Sequence, residues 1–171
     1  LLTRERIVEW KEIPGYAAGV DTERDIVKMA VFERHKNTGH VGLGFLGKYG
    51  LKKGAVATSI GHDSHNLVVV GVREEDMVLA ANQVLKNQGG LAIALDGSIA
   101  AELPLPIAGL MTDLPAEMVE EKLAEMKGLL RKLGISEEID PFMTLAFVSL
   151  PVIPDIRLNT YGIIDVPNHQ I

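Results

Sequence analysis

Two short apolar runs rich in β-branched residues, Ala55 to Ile60 and Leu67 to Val72, enclose the polar hexapeptide Gly61-His62-Asp63-Ser64-His65-Asn66. Runs of this length, bounded by glycine and polar residues, have the dimensions of buried strands. The hexapeptide therefore sits at the junction of two core strands. It holds two imidazoles, a carboxylate, a hydroxyl and a carboxamide, a dense set of donors, acceptors and possible metal ligands. A junction of this kind aims side chains at a site or at an interface.

The rest of the chain reads as support for that junction. Ile7 to Ile13 alternates Val8 and Trp10 with Glu9 and Lys11, the pattern of a half-exposed strand, and Pro14-Gly15 breaks it. Residues 1–20 are read as a strand and linker left from a preceding domain, and residues 21–171 as one domain. Asp25 to Arg34 predicts a strand buried on both sides. His35 to Gly54 carries glycines at 39, 42, 44, 47, 50 and 54. Gly42-x-Gly44-x-x-Gly47 matches a dinucleotide fingerprint in spacing, but that fingerprint requires a helix directly afterwards, and Lys48-Tyr49-Gly50 with Gly54 close behind leaves no room for one. A close-packed apolar loop or short helix is expected instead.

Glu74-Glu75-Asp76 would meet the positive end of a helix running to about Gln88, with Met77, Ala80, Ala81, Val84 and Leu85 as its apolar face and Gly89-Gly90 as its end. Leu91 to Leu95 and Ser98 to Leu103 flank Asp96-Gly97, the strongest short hairpin signal. Asp113 with Pro115 opens the longest helix, whose positions Val119, Leu123, Met126, Leu130 and Leu133 face the core. Phe142 to Leu150 reads as strand or short helix, and Ile163 to Val166 as a final strand. The order predicts an α+β domain, a mixed β-sheet with the two main helices packed on one face. Leu67 to Leu95 would form a βαβ unit if its two strands lie parallel.

Three roles are open to the hexapeptide. His62 and His65, three apart, could bind one metal if the loop curls back, with Asp63 completing a two-histidine, one-carboxylate set. His62, Asp63, Ser64, His65 and Asn66 could instead face a substrate or orient the ligands of a neighbouring metal centre. The imidazoles could also simply satisfy backbone groups at the strand ends, while Ser64 and Asn66 fix the turn. His35 and His40 bracket Asn37-Thr38-Gly39 and read as a turn. Glu102 lies in an apolar stretch, so its carboxylate needs a donor, and a structural hydrogen bond is expected there. No catalytic residue is assigned, since Gly-x-Ser-x-Gly does not occur.

Composition excludes several classes. The chain has no cysteine, which removes disulfides and every cysteine-based zinc site. A net charge of −6 offers no electrostatic footprint for a phosphate backbone, and Lys48, Lys52 and Lys53 form only a small basic cluster, so nucleic acid is not an expected partner. No apolar run reaches the ~18 residues of a membrane span, and the start LLTRERIVEW lacks a signal-peptide layout. A cytoplasmic protein is expected, and the absence of an initiator methionine leads us to expect a longer polypeptide.

TSIGHDSHNLVVVGV followed by EEDMVLAANQVLKNQGG resembles the carboxyl-terminal domain of the bacterial and archaeal adenine deaminases. The resemblance extends back through HKNTGHVGLGFLGKYGLKKGAVA and forward through LDGSIAAELPLPIAGLMTD to DPFMTLAFVSLPVIPDIRLNTYGIIDV, nearly the whole chain. It implies a metal-dependent amidohydrolase that converts adenine and water to hypoxanthine and ammonia in purine salvage. It further implies manganese or iron in a (β/α)₈ barrel of the same polypeptide, and a homo-oligomer. Such barrels carry a His-x-His pair and run to roughly 250 residues. This chain of 171 residues has five histidines and no His-x-His. It therefore reads as the domain that packs on the barrel and closes it with the His62 to Asn66 loop, and by itself is expected to be inactive. The alternative is a free-standing small-ligand-binding or assembly domain without catalysis.

Overall fold

The computed structural model describes residues 20–171, so the strand expected at Ile7 to Ile13 lies outside the described residues. The elements are β1 (Ile26–Phe32), β2 (Val41–Gly47), β3 (Ala55–Thr58), β4 (Leu67–Gly71), α1 (Glu74–Lys86), β5 (Gly90–Leu95), β6 (Ser98–Pro104), α2 (Ala116–Lys132), α3 (Pro141–Val148), β7 (Ile156–Asn159) and β8 (Gly162–Asp165). Strands β1 to β6 form one sheet in the order β2-β1-β4-β3-β5-β6, and β7-β8 form a separate hairpin. The class is α+β, as the sequence implies.

Within that class the sheet differs from expectation, because every neighbouring pair in it is antiparallel. β4 and β5, joined through α1, do run in the same direction. β3 inserts between them and pairs antiparallel with each, so the crossover spans a split unit rather than two adjacent parallel strands.

The helices also occupy both faces instead of one, and residue size explains the division. Alternate strand residues point to opposite faces. One face presents Val27, Met29, Val31, Val56, Val68, Val70, Leu91 and Ile93, and receives Met126 and Leu130 of α2 with Phe142, Leu145 and Val148 of α3. The other presents mainly alanines, Ala30, Ala55, Ala57, Ala92 and Ala94, with Leu67 and Val69, and receives Met77, Ala80, Ala81 and Val84 of α1. Gly71 belongs to this small-residue face: a Cβ there would lie 2.4 Å from Met77 Cγ, so α1 needs the missing side chain to approach.

The glycine-rich stretch forms an edge strand, β2, in place of the expected loop. Val41, Leu43 and Phe45 alternate with Gly42 and Gly44, and the glycines lie under the β7-β8 hairpin. A Cβ on Gly42 would stand 1.7 Å from Asn159 O, which only glycine avoids. On the other face α1 lies over β3 to β6, and an apolar groove of about 880 Å³ remains between α1 and β2. Leu43, Phe45, Val78 and Leu85 line it and are exposed, whereas Tyr49 and Leu51, further along the glycine-rich segment, are buried.

Candidate functional site

The antiparallel registers bring three connections to one end of the sheet. Phe32 pairs with both Val41 and Leu67, Thr58 with Val68 and Leu91, and Gly90 with Pro104. Loops 33–40, 59–66 and 105–113 therefore share that end. The sequence-derived hexapeptide forms the β3-β4 loop at its centre.

The backbone of this loop is tied down from several directions while most of its side chains face outward. His62 N donates to Ala146 O of α3 at 2.8 Å, Ser64 N to His62 O at 2.9 Å and His65 N to Gly61 O at 2.9 Å. His62, Asp63 and Ser64 are exposed, His65 is half-buried and Asn66 is buried. Asp63 at φ 62° and His65 at φ 45° both occupy the left-handed region, which costs non-glycine residues energy unless the surroundings hold them there. The His62 ring rests on Phe147 of α3 with centroids 4.2 Å apart. His65 Nδ1, Asn66 Oδ1 and Ser149 Oγ are buried without a hydrogen-bond partner among the described residues. Buried polar atoms in this state at the base of one loop are unusual, since most are paired.

Two side chains from the loop after β1 hold the far side. Arg34 Nε donates to His65 O, and its Nη2 donates to Ala108 O at 2.8 Å. His35 Nε2 donates to Ser64 O at 2.7 Å. Partial burial lowers the pKa of Arg34. The turn that presents His35 is wrapped around Glu33, whose carboxylate accepts from the backbone N–H groups of His35, Lys36 and Thr38. Desolvation pushes Glu33 upward, but these donors outweigh it and bring the carboxyl down to about 2. Ser59 ties the third loop in, accepting from Gly90 N at 2.7 Å and donating to Gly109 O at 2.6 Å.

The structure thus places His62, Asp63, Ser64, His65 and Asn66 in one loop, but it does not turn the two imidazoles toward a common point of chelation. The His62 ring lies outward against Phe147, and His65 Nδ1 is directed into the interior. Among the described residues no three His, Cys, Asp or Glu side chains form a group that could hold a metal ion. His40 packs against Tyr161 of the β7-β8 hairpin, the rings tilted by 60°, instead of joining the loop. Glu102 accepts from Gln83 Nε2 and Asn87 Nδ2, both at 2.6 Å, the structural role expected of it. Sequence reasoning missed Arg34, Ser59 and Ser149. The only hint for Arg34 was a cation directly after a strand buried on both sides.

A family model described as the adenine deaminase C-terminal domain matches residues 1–170. The chain is 51% identical over 150 residues to adenine deaminase 2 of Carboxydothermus hydrogenoformans, covering 88% of this chain and 26% of that protein. It is 47% identical over 170 residues to the adenine deaminase of Kosmotoga olearia, covering 99% of this chain and 29% of that protein. It is 51% identical over 155 residues to the adenine deaminase of Oleidesulfovibrio alaskensis, covering 91% and 27%. The chain thus spans little more than a quarter of the length of the curated relatives it matches.

Proposed function

We propose, for a chain that belongs to the adenine deaminase C-terminal domain family, that it works as one part of an adenine-deaminating hydrolase. In this reading it packs on a metal-bearing barrel elsewhere in the same polypeptide and presents the His62 to Asn66 loop to the active site. The observation that carries the reading is the anchored loop with two left-handed residues and outward polar side chains, because strain of this kind is kept where the surroundings enforce it for a purpose.

Deamination replaces the 6-amino group of adenine by oxygen: water adds to C6, and the C–N bond breaks as the nitrogen leaves with an added proton. Such a reaction needs groups that hold the purine and move a proton between the oxygen and the nitrogen. His62, Asp63 and His65 supply imidazole and carboxylate for those tasks, and Asn66 Oδ1 and Ser149 Oγ, buried without a partner among the described residues, support the base of the loop as a place for further polar contacts. The described residues do not fit a metal set, so manganese or iron chemistry is left to the barrel and no step is assigned to it in this chain. The test is adenine turnover with added divalent metal. The full-length polypeptide carrying this chain is expected to release hypoxanthine and ammonia, and the 171-residue chain alone is not. A full-length polypeptide that leaves adenine unchanged would overturn the reading.

The apolar groove between β2 and α1 favours a second reading, a small-ligand-binding or assembly domain that includes homo-oligomer contacts. Size-exclusion and ligand-binding measurements on the full-length polypeptide, paired with turnover, separate the two.

A further inference from the structure

We propose that Arg34 is a positioning residue that locks loop 59–66 and the turn at 107–111 into one unit, setting the backbone that carries Asp63 and His65. The inference rests on the reading of that loop as part of an active site, and its own observations lie outside the loop.

The two carbonyls that Arg34 holds belong to residues of the same unusual kind. His65 has φ 45° and Ala108 has φ 58°, both left-handed, and alanine has no polar side chain to ease that conformation. Left-handed backbone is unfavourable for residues other than glycine, so something must hold each of them. Arg34 reaches both through one planar fork, with Nε on His65 O and Nη2 on Ala108 O. Charged donors make stronger hydrogen bonds to carbonyls than neutral ones, and the rigid fork serves two acceptors from two separate nitrogens, whereas lysine would have to reach both from one.

The seat of the guanidinium is also shaped. A Cβ on Gly109 would stand 2.5 Å from Nη2 and 2.7 Å from Nη1, so the arginine lies against a bare backbone. Among the described residues no carboxylate forms an ion pair with Arg34, in contrast to Lys28 with Glu74 or Lys127 with Asp140. Its charge is committed to carbonyls. His35, the next residue, adds the bond to Ser64 O, so adjacent side chains secure successive carbonyls of the loop. From the other side Ser59 donates to Gly109 O, which fastens the 107–111 turn to the root of the same loop. Loss of Arg34 should release both segments together.

The experiment uses the full-length polypeptide with Arg34→Gln, Arg34→Lys and Gly109→Ala, beside Asp63→Ala as a control on the loop itself. For each, kcat and KM for adenine are measured together with amide hydrogen exchange in 61–66, 107–111 and β4. We expect Arg34→Gln to lower kcat by about ten- to a hundredfold, the scale of lost orienting contacts, with KM changed by less than about threefold. Exchange should rise in 61–66 and 107–111 together and stay slow in β4. Gly109→Ala should reproduce the pattern by displacing the guanidinium, and Arg34→Lys should recover only part of it. Unchanged exchange in both segments of the arginine variants overturns the proposal, whatever the activity. Coupled loosening with normal kcat overturns the positioning role while Asp63→Ala remains impaired. If Asp63→Ala also turns over normally, the active-site reading of the loop falls, and the positioning role falls with it. Should Arg34→Gln fail to fold, the lysine and Gly109 variants decide by the same readouts.

Discussion

The β5-β6 turn and the β3-β4 loop both place non-glycine residues in the left-handed region, yet different things hold them there. In the first, Asp96 at φ 50° and Gly97 at φ 79° form the two-residue turn that matches the twist of a hairpin. Among the described residues its distant tie is the bond from Gly97 N to Asp76 Oδ1 at 2.8 Å. In the second, Asp63 and His65 sit in no short hairpin turn, and their conformation is held by Ala146 of α3, by Arg34 and by His35. A local rule explains the hairpin completely. The loop draws its support from across the fold, which is the observation behind the proposed site.

The largest effects should separate these two turns by activity. In the full-length polypeptide, Asp63→Ala or His65→Ala is expected to lower adenine turnover per folded molecule by about ten- to a thousandfold, the range for orienting or proton-transferring groups. Asp96→Ala should leave turnover within about twofold of the parent, since it alters only the outer turn. Normal turnover in the loop variants, with a lowered melting temperature, would reduce the loop to a structural connection.

A smaller effect sharpens the comparison through stability. Gly97→Ala meets no atom within 4 Å, so its cost comes from the left-handed backbone alone, about 1–2 kcal/mol. Asp63→Gly should do the reverse, relaxing the backbone and leaving stability equal or up to about 1 kcal/mol higher while turnover falls. Denaturant unfolding of both variants, beside their kinetics, checks the pair. A destabilised Asp63→Gly protein would mean that the aspartate stabilises its turn rather than serving a site.

What could be read from the sequence divides along the same line. Strands β3 and β4, helix α1 and the Asp96-Gly97 hairpin follow from patterns within a few residues of each other, and each is observed. β2 was hidden because the glycines on one of its faces answer to the β7-β8 hairpin, more than a hundred residues away, and a local window sees only loop-forming residues. The placement of β3 between β4 and β5 is likewise a tertiary choice, so the expected mixed sheet gave way to an antiparallel one. α3 buries Pro141, Phe142, Leu145, Ala146 and Val148 at helical spacing, but Met143 and Phe147 between them are apolar as well, so the sequence run shows no period and strand and helix are indistinguishable until Asp140 is seen to accept from Phe142 N and Met143 N. At the site, the hexapeptide was legible from its residue types. Its support was not, because the partners of Arg34 are carbonyls 31 and 74 residues distant, and carbonyls leave no mark in a sequence.

The central claim, that this loop lies at the substrate, can be tested without any substitution. Carbethoxylation of histidines in the full-length polypeptide, read by mass spectrometry with and without saturating hypoxanthine, reports access to the exposed His62 ring directly. Protection of His62 by the purine, with His40 and His169 modified equally in both samples, is the result this account predicts. Equal modification of His62 with and without hypoxanthine, under conditions where the purine inhibits turnover, would contradict it.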